Sequence, residues 1–349
     1  MVSPFVIIAL TLILLVVLFF PFIFRKVEEN LEIFLFFMGV ISLIVTNSLH
    51  LHIIVEGLHE PIKISLAVLF AGLLFKYTHK HIKGLVYFSL KKIPFELFIF
   101  LVVVILGLLS SIITAIIASL VLVEIINVLK MDRKHEVFYV VVACLSIGLG
   151  AALTPIGEPL STIAISKLKA WPQVDFFYLF RLLGPFIIPL VIISGVVAGM
   201  YKGHKADDTL SESEEDERKV ESIREILFRS FKVYLFVMAL VFLGYGFKPI
   251  IDNYVLKLSP LVLYWVNTIS AVVDNATLTA AEISTSMTEE QVRDLLLGLL
   301  IAGVMLIPGN IPNIICASKL KIKSREWAKI GVPMGIILLI IVFIVLLFV

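Results

Sequence analysis

Charge is scarce in this chain. Only 16% of its 349 residues are Asp, Glu, Lys or Arg, while 60% are hydrophobic and the mean hydropathy is +1.07. A soluble globular protein carries about a quarter charged residues, so the composition excludes that class. Cysteine is almost missing: Cys144 and Cys316 both fall in apolar stretches. Two free thiols are expected there, with no disulfide framework and no Cys/His metal site. Enzyme signatures are lacking too. The sequence holds no H-E-x-x-H, no G-x-S-x-G and no Walker loop, and neither a Ser/His nor a paired-Asp constellation for intramembrane proteolysis stands out. We expect no enzyme and no cofactor. The net charge of +2 does not point to nucleic acid, because the cations sit in short loops between apolar runs.

What is present is length in the apolar runs. Several reach the roughly 20 residues that a helix needs to cross a bilayer, so an all-α polytopic membrane protein is predicted, with the lipid bilayer as its surroundings. The first run, Pro4 to Phe24, lacks a basic leader and a small-residue cleavage site and reads as a retained span. Full crossings are predicted at residues 4–24, 31–49, 62–77, 136–169, 175–200, 229–248, 290–321 and 328–349. Two more apolar stretches, 94–130 and 255–285, are too long for one crossing and are interrupted by "LSSIITAIIAS" and "TISAVVDNATLTA". Each reads as a re-entrant helical hairpin, entering and leaving by one face; two thin spans are the alternative.

Lys and Arg give the orientation. With the loop at 25–30 in the cytoplasm, nearly all cations fall on that side, including Lys91 and Lys92, Lys130, Arg133 and Lys134, and Lys319 to Lys329. The outside keeps Lys63, Lys167, Lys169, Lys248, Lys257 and Arg293. This positive-inside bias puts the first hairpin on the cytoplasmic face, the second outside, and both chain termini outside. Residues 203–223 form a charged cytoplasmic linker, read as a solvated tether rather than a regulatory site.

Two segments end alike: "TPIGEPLSTIAISKLK" at Lys169 and "LIPGNIPNIICASKLK" at Lys321. Lys167 and Lys319 lie 152 positions apart (319 − 167), and the same shift lays Gly157 on Gly309 and Ser166 on Ser318. Each copy follows a Pro/Gly interruption, so two broken transmembrane helices are predicted. The domain plan is then 1–93 as N-terminal scaffold, 94–201 as first repeat core, 202–228 as linker and 229–349 as second repeat. The repeats start on opposite faces, the inverted topology of many secondary transporters, whose sites form where broken helices meet. Alternatively, both breaks are kinks that only help helices pack.

Non-helical backbone at membrane depth must be buried in protein or line a wet cavity. Oxygen-bearing side chains gather at these places. Asp274, Asn275 and Thr277 mark the second hairpin tip; Glu158, with Thr154, Ser161 and Thr162, marks the first break; Asn310 and Asn313 mark the second. Hard cations prefer such ligands, and a carboxylate at midplane marks an ion or proton path by default. A metal role, with sodium as the ion, falls to Asp274, Asn275 and Glu158. Asp274 can equally be a helix cap, and Glu158 an acid stabilised by a helix dipole. Glu124 and Glu282 occupy similar places on the second arms of the hairpins, either functional or near the membrane faces. Arg181, the one arginine well inside an apolar run, is expected to snorkel to the outer face. His50, His52 and His59 are expected in an external loop.

"SAVVDNATLTAAEIS" (270–284) resembles the hairpin motif of NhaD-type sodium/proton antiporters, and "GAALTPIGEPLSTI" (150–163) is similar to their "SPIGD" segment. Both motifs belong to the ion transporter superfamily, which includes arsenite and dicarboxylate carriers; the resemblance covers about residues 90–349. It implies a homodimer with scaffold helices and a transport domain moving like an elevator, with Asp274 and Asn275 as an ion-binding pair. Glu158 stands in the antiporter's Asp position, and Ser161 and Thr162 in its hydroxyl positions. The first hairpin departs from the pattern: Ile116 and Ile117 lie opposite Asp274 and Asn275, while Ser119 meets Thr277. The expected function is exchange of sodium, or another small inorganic cation, for protons across the cell membrane. The alternatives are a sodium-coupled carrier of dicarboxylates or oxyanions, and a membrane sensor acting through the charged linker.

Overall fold

The computed structural model describes residues 3–24, 26–27, 30–59, 61–62, 65–66, 69–70, 73, 84, 88, 92–129, 131–201, 223–254, 259–268, 275–283, 285 and 287–349. Helix is the regular structure throughout these residues. The N-terminal part holds α1 (Pro4–Ile23) and α2 (Leu31–Val45). A first group follows: α3 (Phe95–Ile113), α4 (Ala115–Leu129), α5 (Arg133–Ala151), α6 (Pro159–Lys167) and α7 (Tyr178–Met200). The second group is α8 (Ile223–Tyr254), α9 (Pro260–Val266), α10 (Asn275–Glu282), α11 (Glu289–Ala302), α12 (Ile311–Leu320) and α13 (Ser324–Leu346). Helices α3, α5, α7, α13 and residues 223–250 of α8 are long and apolar enough to cross a membrane. This is an all-helical chain of the multi-pass membrane type.

Local chemistry sets the ends. Ser3 accepts a bond from the Val6 amide ahead of Pro4, and Thr288 forms a capping box with Gln291 at the start of α11. Proline inside α7 (Pro185, Pro189) and α13 (Pro333) is tolerated, as expected where neighbouring helices hold the freed backbone in an apolar surround. α5 is the most enclosed of the five long helices: Val140, Cys144 and Ile147 are fully buried.

Contacts between helix ends reveal two faces of the bundle. Arg133 of α5 donates to the Leu320 and Lys321 carbonyl oxygens at 2.9 and 2.7 Å and grips Glu326 of α13 at 2.8 Å. The Tyr139 hydroxyl donates to the Tyr201 carbonyl oxygen at 2.9 Å. The start of α5, the ends of α7 and α12 and the start of α13 therefore share one face. On the other face, Trp171 Nε1 donates to the Thr285 carbonyl oxygen at 3.2 Å, and Arg293 lies over the Phe186 ring at 5.6 Å. The pair α5–α6 thus runs from the first face to the second, and α11–α12 runs back.

α3 starts on the first face, with Phe95 against Tyr139 (ring centroids 6.1 Å) and the Glu96 carbonyl against Gly199. It turns at Thr114 into α4, which returns toward Arg133. Helices α2 and α8 pack side by side in parallel. Lys232 pairs with Glu32 at 2.7 Å, and Gly39 and Gly246 leave room for Phe242 and Ser42. α1 packs on α2.

Two expectations shift. Residues 51–59 are helical and pack inward through Ile53, so His52 and His59 belong to helix rather than to a loop, and the chain turns back before residue 62. α8 begins at Ile223 and continues to Tyr254, longer than the predicted 229–248. Arg181 does reach a helix end, where Asp175 takes it at 2.9 and 3.1 Å. The linker at 203–222 and most of the predicted span 62–77 lie outside the described residues.

Candidate functional site

Two interruptions divide the helices at the centre. α5 ends at Ala151, and the chain resumes as α6 at Pro159; α11 ends at Ala302, and α12 starts at Ile311 after a short 3-10 turn, Ile307–Gly309. The residues that open the new helices, Glu158 and Asn310, share one extended conformation: φ −154°, ψ 162° and φ −154°, ψ 163°. The glycines before them fold back in the same way. An ideal Cβ on Gly157 would lie 2.0 Å from the Ala151 carbonyl oxygen, and one on Gly309 would lie 2.1 Å from that of Gly303. No side chain fits either gap, so glycine is required by close approach of backbone to backbone.

The predicted side chains occupy these interruptions. Thr154 Oγ1 donates to the Ser111 carbonyl oxygen at 2.5 Å, Ser161 Oγ to that of Ala152 at 3.1 Å, and Thr162 Oγ1 to that of Pro155 at 2.5 Å. Each hydroxyl spends its proton on backbone and keeps acceptor capacity; Thr154 Oγ1 uses part of it on the Ile156 amide at 3.3 Å. Glu158 is 5% exposed and makes no cap bond with its side chain, unlike Asn310, whose Oδ1 accepts from the Asn313 amide at 3.1 Å. Asn313 Nδ2 donates to the Gly303 and Leu306 carbonyl oxygens, each at 2.9 Å, and its Oδ1 has no hydrogen-bond partner among the described residues.

The helix-turn-helix α3–α4 meets both interruptions. Its tip, Thr114 at φ 76°, ψ 149°, lies on the first: the Ala115 amide donates to the Gly157 carbonyl oxygen at 2.8 Å. Its second arm lies on α12, where Cys316 Sγ approaches the Ser119 carbonyl oxygen at 3.6 Å and Leu120 packs with Ile311 and Ile315. Ser119 itself donates to the Ala115 carbonyl oxygen at 2.6 Å. Ile116 joins that apolar cluster, whereas Ile117 is exposed.

α10 lies across α6, α8 and α11. Asn275 is buried at its start, with no hydrogen-bond partner for Nδ2 among the described residues, and Thr279 donates to the Asn275 carbonyl oxygen at 2.8 Å. Thr277 lies on α10; Asp274, the expected carboxylate of this tip, lies outside the described residues. Asn310 Nδ2 rests against Gly148, one turn before the end of α5. The structure thus gathers Glu158, Thr154, Ser161 and the α3–α4 tip around one interruption, with Asn310, Asn313 and Ser119 around the other.

The family model described as "Protein of unknown function (DUF1646)" matches residues 7–349. The chain belongs to that family. Comparison of the DUF1646 chain with curated proteins finds no match.

Sequence reasoning missed three features of this DUF1646 protein. The Arg133 node joins side chains from distant parts of the chain, which no local pattern reveals. A cleft of about 450 Å³ opens on the second face, lined by Arg181, Phe186, Glu289 and Arg293. At its edge, outside the span proper, the Arg181 guanidinium holds the Asp175 carboxyl below the usual carboxylate range. Third, Cys144 Sγ approaches the Pro312 carbonyl oxygen at 3.6 Å and lies beside Cys316, so the two buried thiols are neighbours across α5 and α12.

Proposed function

We propose that this DUF1646 protein is a secondary active ion transporter, exchanging sodium or another small cation for protons by elevator-type alternating access. One observation carries the reading: two helix interruptions of identical backbone conformation lie in helices that cross the bundle in opposite senses. That arrangement supports an inverted-topology repeat, with α3–α4 and α9–α10 as re-entrant hairpins on opposite faces. Its halves are 94–201 and 229–349, beside a scaffold of α1, α2 and the following residues to 93. The crosswise packing of α4 on α12 and α10 on α6 is what a pseudo-two-fold axis in the membrane plane requires.

In this reading the face bearing Arg133 is cytoplasmic, with the linker, and the termini are outside a cell-membrane homodimer. Glu158 and Asp274 are the alternating carriers. A buried carboxylate holds a proton or a cation, but not both well, and that competition couples the two fluxes. Hydroxyl and amide oxygens of Thr154, Ser161, Asn275 and Asn313 complete the ligand set, with Thr162, Thr277, Asn310 and Ser119 supporting the backbone around it.

The test is reconstitution into proteoliposomes with an internal pH dye. A sodium gradient should drive a pH change in the wild type that falls at least tenfold in Glu158→Gln and Asp274→Asn, both checked for folding by their elution profile. Full exchange in either correctly folded variant removes that residue as a carrier; no sodium-linked proton flux in the wild type rejects the reading.

A further inference from the structure

Away from the interruptions, a second acidic position is enclosed in the bundle. Glu282 ends α10 and is 1% exposed; Asn267, just after α9, is fully buried. The Asn267 amide group donates to the Leu295 carbonyl oxygen of α11 at 3.4 Å, and the Glu282 carboxyl lies beside it. Two acceptors remain, Asn267 Oδ1 and Glu282 Oε2, each without a hydrogen-bond partner among the described residues. Buried polar atoms are almost always satisfied, and two orphaned oxygens on neighbouring side chains ask for the same thing, a donor or a cation.

Among the described residues, no hydrogen bond reaches either oxygen from a neighbouring helix. Of the ionisable groups on the helices packed against α10, Asp294 of α11 is taken by Arg293 at 2.8 Å. On α8, Lys232 is taken by Glu32 and Tyr245 donates to Glu56, while Lys248 is exposed. On α6, Lys167 is exposed in the last turn and Glu158 stands at the first. Leu263, Leu278 and Leu295, on α9, α10 and α11, are all buried. An isolated carboxylate in such a place is neutral, or it holds a cation.

We propose that Glu282 and Asn267 form a buried binding site for a hard monovalent cation of the sodium class. The cation displaces the proton of the Glu282 carboxyl, so one proton leaves for each cation bound and the net charge of the pocket is unchanged. Carboxylate and amide oxygens suit such an ion. The site is separate from the interruptions: Asn275, at the opposite end of α10, is seven residues away, about 10 Å along the helix. It joins the two arms of α9–α10 to α11, so occupancy ties these three elements together. The proposal concerns binding and stands whether or not the protein exchanges ions.

Infrared difference spectroscopy on the purified full chain, sodium against choline at one pH, reads the displaced proton. The wild type should lose a protonated-carboxyl C=O band as sodium binds. In the Glu158→Gln/Asp274→Asn background, where the proposed carriers cannot contribute, that change should persist, and adding Glu282→Gln should abolish it. In the same background Asn267→Leu, of similar volume, should raise the half-saturating sodium concentration for this band at least tenfold, and it serves where the Glu282→Gln combination does not fold. A band change surviving Glu282→Gln in that background, unaltered sodium dependence on adding Asn267→Leu, or no sodium effect on carboxyl bands before Glu282 is changed would each overturn the proposal.

Discussion

Thr114 is the most strained residue of the α3–α4 turn. Its φ of 76° and ψ of 149° lie in a region that glycine enters freely and a β-branched residue does not, at a cost of about 1–3 kcal/mol. Thr114→Gly should relieve part of that strain, offset by glycine's greater freedom when unfolded, and raise the thermal midpoint; an unchanged or lower midpoint argues that the Thr114 hydroxyl, which accepts from the Ile117 amide at 3.4 Å, matters more. The paired glycines behave oppositely. Gly157→Ala and Gly309→Ala each force a Cβ into a carbonyl oxygen and should destabilise by more than about 3 kcal/mol, near the top of the range for single substitutions. Loss of monodisperse protein on size exclusion checks it, and the two variants should suffer alike. Their equivalence was legible in the sequence, because a backbone contact that only glycine allows leaves its mark as a fixed residue at a fixed offset. The Asn267–Glu282 approach was not legible, since a separation of 15 positions (282 − 267) can return a chain in many ways.

At the scale of elements, helix ends decide more than helix middles. Arg133 uses all five guanidinium hydrogens, on Glu136, Glu326 twice, and the Leu320 and Lys321 carbonyls. It closes the end of α12, where Lys321 adopts the left-handed conformation (φ 53°), and fixes the starts of α5 and α13. Lysine has three donors on a point charge and cannot reproduce the fork. Arg133→Lys should therefore cost about 1–2 kcal/mol, a figure discounted because the side chain is 39% exposed. Thermal unfolding measures it, and an unshifted midpoint would show that water serves these groups as well. Apolar run length located α1, α2, α7 and α13 to within a few residues, and the Pro/Gly interruptions located both breaks. The helix at residues 51–59 was hidden because its apolar content is ordinary and its anchors, Ile53 and Glu56, act through partners on α2 and α8.

For the whole molecule, the antiparallel course of the two interrupted helices yields a sidedness prediction. Trp171 and Arg325 lie on opposite faces, and both native thiols are buried. Cysteine placed at 171 or 325 should react with a membrane-impermeant maleimide from opposite sides of sealed vesicles, over a low background; labelling from one side alone excludes the opposed crossings. The sequence by itself determined the apolar spans, the paired interruptions and the oxygen-rich residues beside them. These follow from properties that each residue carries alone or with near neighbours: transfer free energy, the missing Cβ of glycine, the missing amide hydrogen of proline. Only the tertiary structure decided that α4 rests on α12 and α10 on α6, that Arg133 gathers three helix ends, and that Glu282 is enclosed beside Asn267. Within lipid, apolar faces are nearly equivalent as partners. The choice among them falls to close backbone approach and to a few hydrogen bonds between residues far apart in the chain.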